Sequence, residues 1–176
     1  RNEEHLQLGA TLKTKYATGW NGSLVASGYR IVGDVMRQAS NPDPVAETGG
    51  VGTVTRRDGT GWNTFEMQAL YKPMAGDFGG GRHALTLGLH RNGYTLKNVV
   101  NNASHWRDTE TTLSQRYLGE TEVNALYAQD VWQINKDLKL TTGWRVEQFR
   151  AFDGEQLARV SSCTAATGEI CAVNGD

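Results

Sequence analysis

Leu126-Tyr127-Ala128-Gln129-Asp130-Val131-Trp132-Gln133-Ile134-Asn135-Lys136-Asp137-Leu138-Lys139-Leu140-Thr141-Thr142-Gly143-Trp144-Arg145-Val146-Glu147 reads as two strands joined by a tight turn. The second half alternates: Leu138, Leu140, Trp144 and Val146 fall on one side, and Lys139, Thr141, Gly143, Arg145 and Glu147 on the other. A period of two is the signature of a strand with one apolar face. The turn, Asn135-Lys136-Asp137, has the polar residues that short reversals favour. The first half, Thr121 to Ile134, is rich in β-prone residues, but its apolar residues fall on both sides and its faces stay unassigned.

Working outward, four more segments repeat the pattern. His5 to Tyr16 sets Leu6, Leu8, Ala10, Leu12 and Tyr16 against His5, Gln7, Thr11, Lys13 and Lys15. Val25 to Val35 groups Val25, Tyr29, Ile31 and Val35, opposite a mixed face of Leu24, Arg30, Val32 and Asp34. Trp62 to Lys72 sets Phe65, Met67, Ala69 and Tyr71 against Thr64, Glu66, Gln68 and Lys72, and Arg82 to Arg91 sets Leu85, Leu87 and Leu89 against Thr86, Gly88 and His90. Only Leu113 to Leu118 hints at a turn of helix, ended by Gly119.

The connectors between these six segments are 17–24, 37–61, 73–81, 92–120 and 135–137, with 151–176 beyond the last. They alternate short and long. A membrane barrel produces that rhythm because tight turns lie on one side of the bilayer and long loops on the other. Strands of this length also suit a tilted crossing, which takes roughly 9–11 residues. Tyr16, Trp20, Trp62, Tyr71, Trp132 and Trp144 fall near strand ends, where interfacial girdles lie. Asn21-Gly22, in the first connector, reads as a tight hairpin turn. A soluble β-sandwich also alternates polar and apolar residues, though its connections need not alternate in length.

Composition agrees with a turn-rich β protein: 21 Gly and 3 Pro in 176 residues. The net charge of −1 speaks against a nucleic-acid partner, which calls for a basic stripe. Mean hydropathy is negative. That excludes helical membrane spans and leaves barrels open, since only alternate strand residues meet lipid. The longest uncharged run, Tyr16 to Tyr29, is interrupted by Gly, Asn and Ser. The ends, Arg1-Asn2-Glu3-Glu4 and Asn174-Gly175-Asp176, read as cuts in a longer sequence, and no signal peptide is visible in residues 1–176.

The hairpin adds a family resemblance. Tyr127-Ala128-Gln129-Asp130-Val131-Trp132, the short turn, and Leu138-Lys139-Leu140 followed by Gly143-Trp144-Arg145 resemble the Tyr-Ala-Gln-Asp-x-Trp hairpin of TonB-dependent outer-membrane receptors of the siderophore-receptor type. Leu85-Thr86-Leu87-Gly88 resembles the apolar-x-apolar-Gly strands of that family. The resemblance implies an all-β, antiparallel transmembrane β-barrel of 22 strands, of which residues 1–176 hold about six from the middle section. The plug domain and the TonB box of the family have no counterpart in the sequence. The implied role is active import across the bacterial outer membrane, most often of a ferric siderophore. The partners would be TonB, the iron chelate, and outer-membrane lipid and lipopolysaccharide. The alternatives are a passive porin-like barrel and a soluble β-sandwich binding module.

Several side chains are candidates for roles in such a receptor. His105, Trp106 and Arg107, in the long 92–120 connector, offer the aromatic and cationic groups that would grip an anionic chelate. His90, Arg145 and Glu147 fall on polar faces and are expected to line the lumen wall. Cys163 and Cys171, in the last connector, suit a disulfide at an oxidising surface, with two free thiols or a metal pair as the other readings. No enzyme motif is present, and neither a cofactor nor a metal site is expected. Gly79-Gly80-Gly81 precedes no helix and reads as a turn rather than a phosphate cradle.

Overall fold

A computed structural model describes residues 1–75 and 82–158. Seven strands lie in one antiparallel sheet: β1 Asn2–Lys13, β2 Gly19–Ala39, β3 Gly52–Arg56, β4 Gly61–Lys72, β5 His83–His105, β6 Thr109–Gln133 and β7 Lys139–Ala158. A short 3₁₀ turn, Val45–Thr48, lies between β2 and β3. β3 and β4 run the same way and share both neighbours, β2 and β5. They are one strand interrupted at 57–60, so the sheet has the six crossings that the alternation predicts. Against β5 the interruption is a bulge, with residues 57–60 opposing only 96–98 between the pairs Arg56↔Val99 and Gly61↔Thr95.

The two faces follow from register, because residues opposite one another in a ladder share a face. One row across the sheet is Leu12–Leu24–Met67–Leu89–Leu126–Val146. The neighbouring row on the other face is Thr11–Val25–Glu66–His90–Ala125–Glu147. The first face is a band suited to lipid and the second is the polar interior of a barrel wall. Two polar side-chain pairs bracket the apolar band on its own face. Arg91 reaches Glu122 at 2.5 Å near one end, and His83 Nδ1 meets Asp130 at 2.8 Å near the other, with Trp132 stacked on His83. Along β5, residues 83 to 91 span about 26 Å at roughly 3.3 Å per residue. Tilt reduces this toward the height of an outer-membrane hydrocarbon layer. Trp20 packs on Tyr71, 4.9 Å between centroids, in the same terminal belt as Trp132.

Five expectations change. The connector 92–120 is largely strand: β5 runs 23 residues and β6 runs 25, leaving 106–108 as the turn between them, while 37–61 gives the sheet the end of β2, all of β3 and Gly61. These strands overshoot the bilayer, so the residues assigned to long loops build a wall beyond the band. Leu113 to Leu118, with its helical spacing, is part of β6, because its partners on β5 and β7 satisfy the backbone as strand. Asn21-Gly22 lies inside β2. The turn is 14–18, and Asn21 clamps it by accepting from Tyr16 N at 2.6 Å and donating to Tyr16 O at 3.2 Å. Finally, Val25 and Tyr29 point to the polar interior, while Leu24 and Ala26 face lipid. Within β2 both faces carry apolar residues, and only the neighbours Leu12 and Met67 settle which is outside. Trp62 is likewise interior, opposite Tyr29 and Tyr94, and does not belong to the girdle. The unassigned strand is resolved too: Leu126, Ala128 and Trp132 lie outside, and Val123, Ala125 and Tyr127 inside.

Leu87 lies in the lipid-facing row between Ala69 and Ala128, and Thr86 on the opposite face between Leu70 and Gln129. Leu87→Arg is expected to cost about 2–4 kcal/mol in a bilayer refolding titration of the receptor, and Thr86→Arg at most about 1 kcal/mol. Equal costs would contradict the face assignment.

Candidate functional site

The interior face carries a connected polar cluster at the height of the apolar band. Tyr127 leans across from β6 onto β5, and its ring fills the space above Gly88. A Cβ on Gly88 would stand 2.1 Å from the Tyr127 ring. From there the Tyr127 hydroxyl donates to Glu66 Oε1 at 2.9 Å and accepts from Gln68 Nε2 at 3.3 Å. His90 Nδ1 lies 3.8 Å from Glu66 Oε2. On β7, Arg145 Nε donates to Glu147 Oε1 at 2.5 Å, and the Arg145 guanidinium lies 6.0 Å from the Tyr127 ring centroid. The cluster thus joins β4, β5, β6 and β7 through side chains as well as through the backbone ladder. His90, Arg145 and Glu147 come together here. Glu66, Gln68 and Tyr127 complete the cluster and escape the sequence reading. Their signal was Gly88 opposite an aromatic residue, which is visible only once the register is known.

His105, Trp106 and Arg107 lie at the tip of the β5–β6 hairpin, where they fasten the segment 40–51. Trp106 Nε1 donates to Ala46 O at 3.0 Å, and Trp106 N to Gly50 O at 2.9 Å. The His105 ring occupies the side-chain space of Gly49, whose φ of 107° only glycine adopts readily. Asp108 Oδ2 lies 3.0 Å from His105 Nδ1. From β2, Arg37 donates to the carbonyls of Trp106 and Asp108 at 3.5 and 3.4 Å. Arg107 covers the Trp106 ring at 4.9 Å and is exposed. Beneath the tip, Glu110 accepts from Arg56 Nε at 2.8 Å and from Asn101 Nδ2 at 2.8 Å. The Arg56 guanidinium, followed by the Asn101 bond, holds the Glu110 carboxyl below the ordinary carboxylate range. Cys163, Cys171 and the 79–81 glycines lie outside the described residues.

A two-faced, six-crossing wall with strands taller than the bilayer is the geometry of a large outer-membrane barrel. The family model described as TonB dependent receptor-like, beta-barrel matches residues 1–167. The chain belongs to that family. Its apolar rows are therefore the lipid-facing surface of a TonB-dependent receptor barrel, and its polar rows line the lumen. No curated protein and no solved structure matches the chain.

Two outcomes follow from this geometry. Gly88→Ala is expected to push the Tyr127 ring aside and destabilise the receptor by about 1–3 kcal/mol of overpacking, read from its denaturant midpoint. Tyr127→Ala in the same chain should recover part of that loss, because it removes the ring that the new methyl meets. At the tip, Glu110 has a folded pKa below its unfolded one. Its contribution is full above the ordinary carboxylate value and is lost as pH falls through the folded value. Hydrogen exchange of 52–56 and 109–113 should therefore accelerate below about pH 4.5 beyond the intrinsic trend. Glu110→Gln should abolish that extra dependence.

Proposed function

We propose that this barrel wall serves a receptor that imports a ferric siderophore or similar iron chelate through TonB-powered transport. The family match over residues 1–167 carries the reading. The tall interior wall supports it, because a bulky chelate needs a wide lumen lined with fixed polar groups. His90, Arg145 and Glu147 act in this reading as wall residues of the ligand path, held by Glu66 and Tyr127. At the tip, Arg107 presents an exposed guanidinium over Trp106 to an anionic ligand, while His105 and Trp106 hold the tip in place. A cation above an aromatic face is a fitting group for an anion that arrives from solvent.

The test is uptake of radiolabelled iron supplied as a panel of chelates to the bacterial host under iron limitation. Deleting the full-length receptor is expected to abolish uptake of at least one chelate, and loss of TonB to abolish the same uptake. Arg107→Ala should weaken binding of that chelate several-fold without changing the amount of receptor in the membrane. Unchanged uptake of every chelate in the deletion strain would sink the iron reading. Uptake that persists without TonB would point to a passive barrel.

A further inference from the structure

The two ends of the outer face differ in charge. Toward the tall end, Arg30, Arg91 and Arg150 face outward in the rows above the apolar band. Toward the short turns, the last two outward rows are Trp20–Tyr71–Leu85–Asp130–Thr142 and His83–Trp132–Leu140. These rows hold no lysine or arginine, and their one carboxylate is Asp130. His83 Nδ1 donates to Asp130 Oδ2 at 2.8 Å, and Oδ1 accepts no hydrogen bond. A carboxylate has room for about four. The side chain is 29% exposed, on the face that meets lipid. Its partners across the ladder, Leu85 and Thr142, bring no charge. An ionised group at the edge of hydrocarbon with acceptor sites unfilled is costly unless a donor reaches it.

Next to Asp130 the apolar band is hollowed. The row Gly22–Ala69–Leu87–Ala128–Trp144 is low, because Gly22, Ala69 and Ala128 carry one side-chain carbon or none. The bulkier row Leu24–Met67–Leu89–Leu126 flanks it. The apolar hollow measures about 620 Å³, and Gly22, Ala69, Leu87 and Trp144 are part of its lining. Asp130 stands two residues, about 7 Å, beyond Ala128 on the same face. Beside the carboxylate are two neutral donors, the Thr142 hydroxyl on the next strand and the indole N–H of Trp132 two residues on. The headgroup of an aminophospholipid lies nearly flat on the bilayer surface, so its phosphate and ammonium reach this belt at one height. Its chains point into the band.

We propose that Asp130, with Thr142 and Trp132 beside it, binds the headgroup of a phosphatidylethanolamine molecule in the leaflet at the short-turn end, with an acyl chain in the hollow by Ala128. The lipid ammonium donates to the Asp130 carboxylate in a charge-assisted bond. The indole N–H and the hydroxyl donate to the phosphate. Phosphatidylglycerol brings a net negative charge and no ammonium, so it meets the same carboxylate with repulsion. The site belongs to the outer wall and stands whatever the receptor imports.

The test uses the full-length receptor in a neutral detergent, titrated with dioleoyl phosphatidylethanolamine or dioleoyl phosphatidylglycerol, with bound lipid counted by native mass spectrometry. Heat-modifiable migration is the control for folding. Phosphatidylethanolamine is expected to bind at least fivefold more tightly than phosphatidylglycerol. Asp130→Asn should bring that ratio below twofold. Thr142→Lys should do the same, because it sets an ammonium of the chain itself opposite Asp130. Asp137→Asn, in the turn between β6 and β7, should keep the full ratio. Phosphatidylglycerol binding as tightly as phosphatidylethanolamine to the unaltered receptor would overturn the site, and so would the absence of bound lipid. A preference that survives Asp130→Asn or Thr142→Lys overturns it too, as does one that Asp137→Asn also removes. If Asp130→Asn does not fold, Thr142→Lys decides alone.

Discussion

Every backbone N–H and C=O that enters hydrocarbon must find a partner inside the protein, because lipid offers none. The rest of this structure depends on that requirement. It is met by unbroken antiparallel ladders, of which the β5–β6 pairing from His83↔Trp132 to Val100↔Gln115 is the longest regular run. Once the ladders are fixed, alternate residues are committed to opposite solvents. Leu89 and Leu126 face one, and their chain neighbours His90 and Tyr127 face the other. The Glu66–Tyr127–Gln68 arrangement exists because the ladder places Gly88 opposite Tyr127 and leaves room for its ring.

Much of this was legible in the sequence. The leucines of 85–89 and the set Leu138, Leu140, Trp144 and Val146 declare their outer face by period alone. Where a strand carries apolar residues on both sides, as β2 does with Leu24 and Val25, periodicity yields a strand without a direction. Only pairing with Leu12 and Met67 supplies it. The extent of β5 and β6 was hidden for a related reason. Beyond the bilayer both faces meet water, the apolar alternation fades, and Asn98 to Ser104 looks like a loop although it is strand.

The residues picked out for binding divide in a similar way. His90, Arg145 and Glu147 converge on one interior patch, as their place in the alternation implied. His105 and Trp106 are bound up with the segment 40–51 through Ala46, Gly49 and Gly50, partners some sixty residues earlier in the chain that spacing could not reveal. The interior place of Trp62 was concealed by the same distance effect, because its partners Tyr29 and Tyr94 lie on other strands and single-strand patterns placed Trp62 among girdle residues.

The bulge at 57–60 has a consequence for how such a wall diversifies. It absorbs a one-residue mismatch between β3–β4 and β5, with ordinary ladders above and below. On the β2 side one register runs through both pieces, from Ala39↔Gly52 to Gly19↔Lys72, and the bulge takes up the offset against β5. Residues can be gained or lost in the connector 40–51 without sliding Phe65, Met67 and Ala69 out of the lipid. The receptor's outer rim is free to change its shape over generations while its anchorage in the bilayer stays the same.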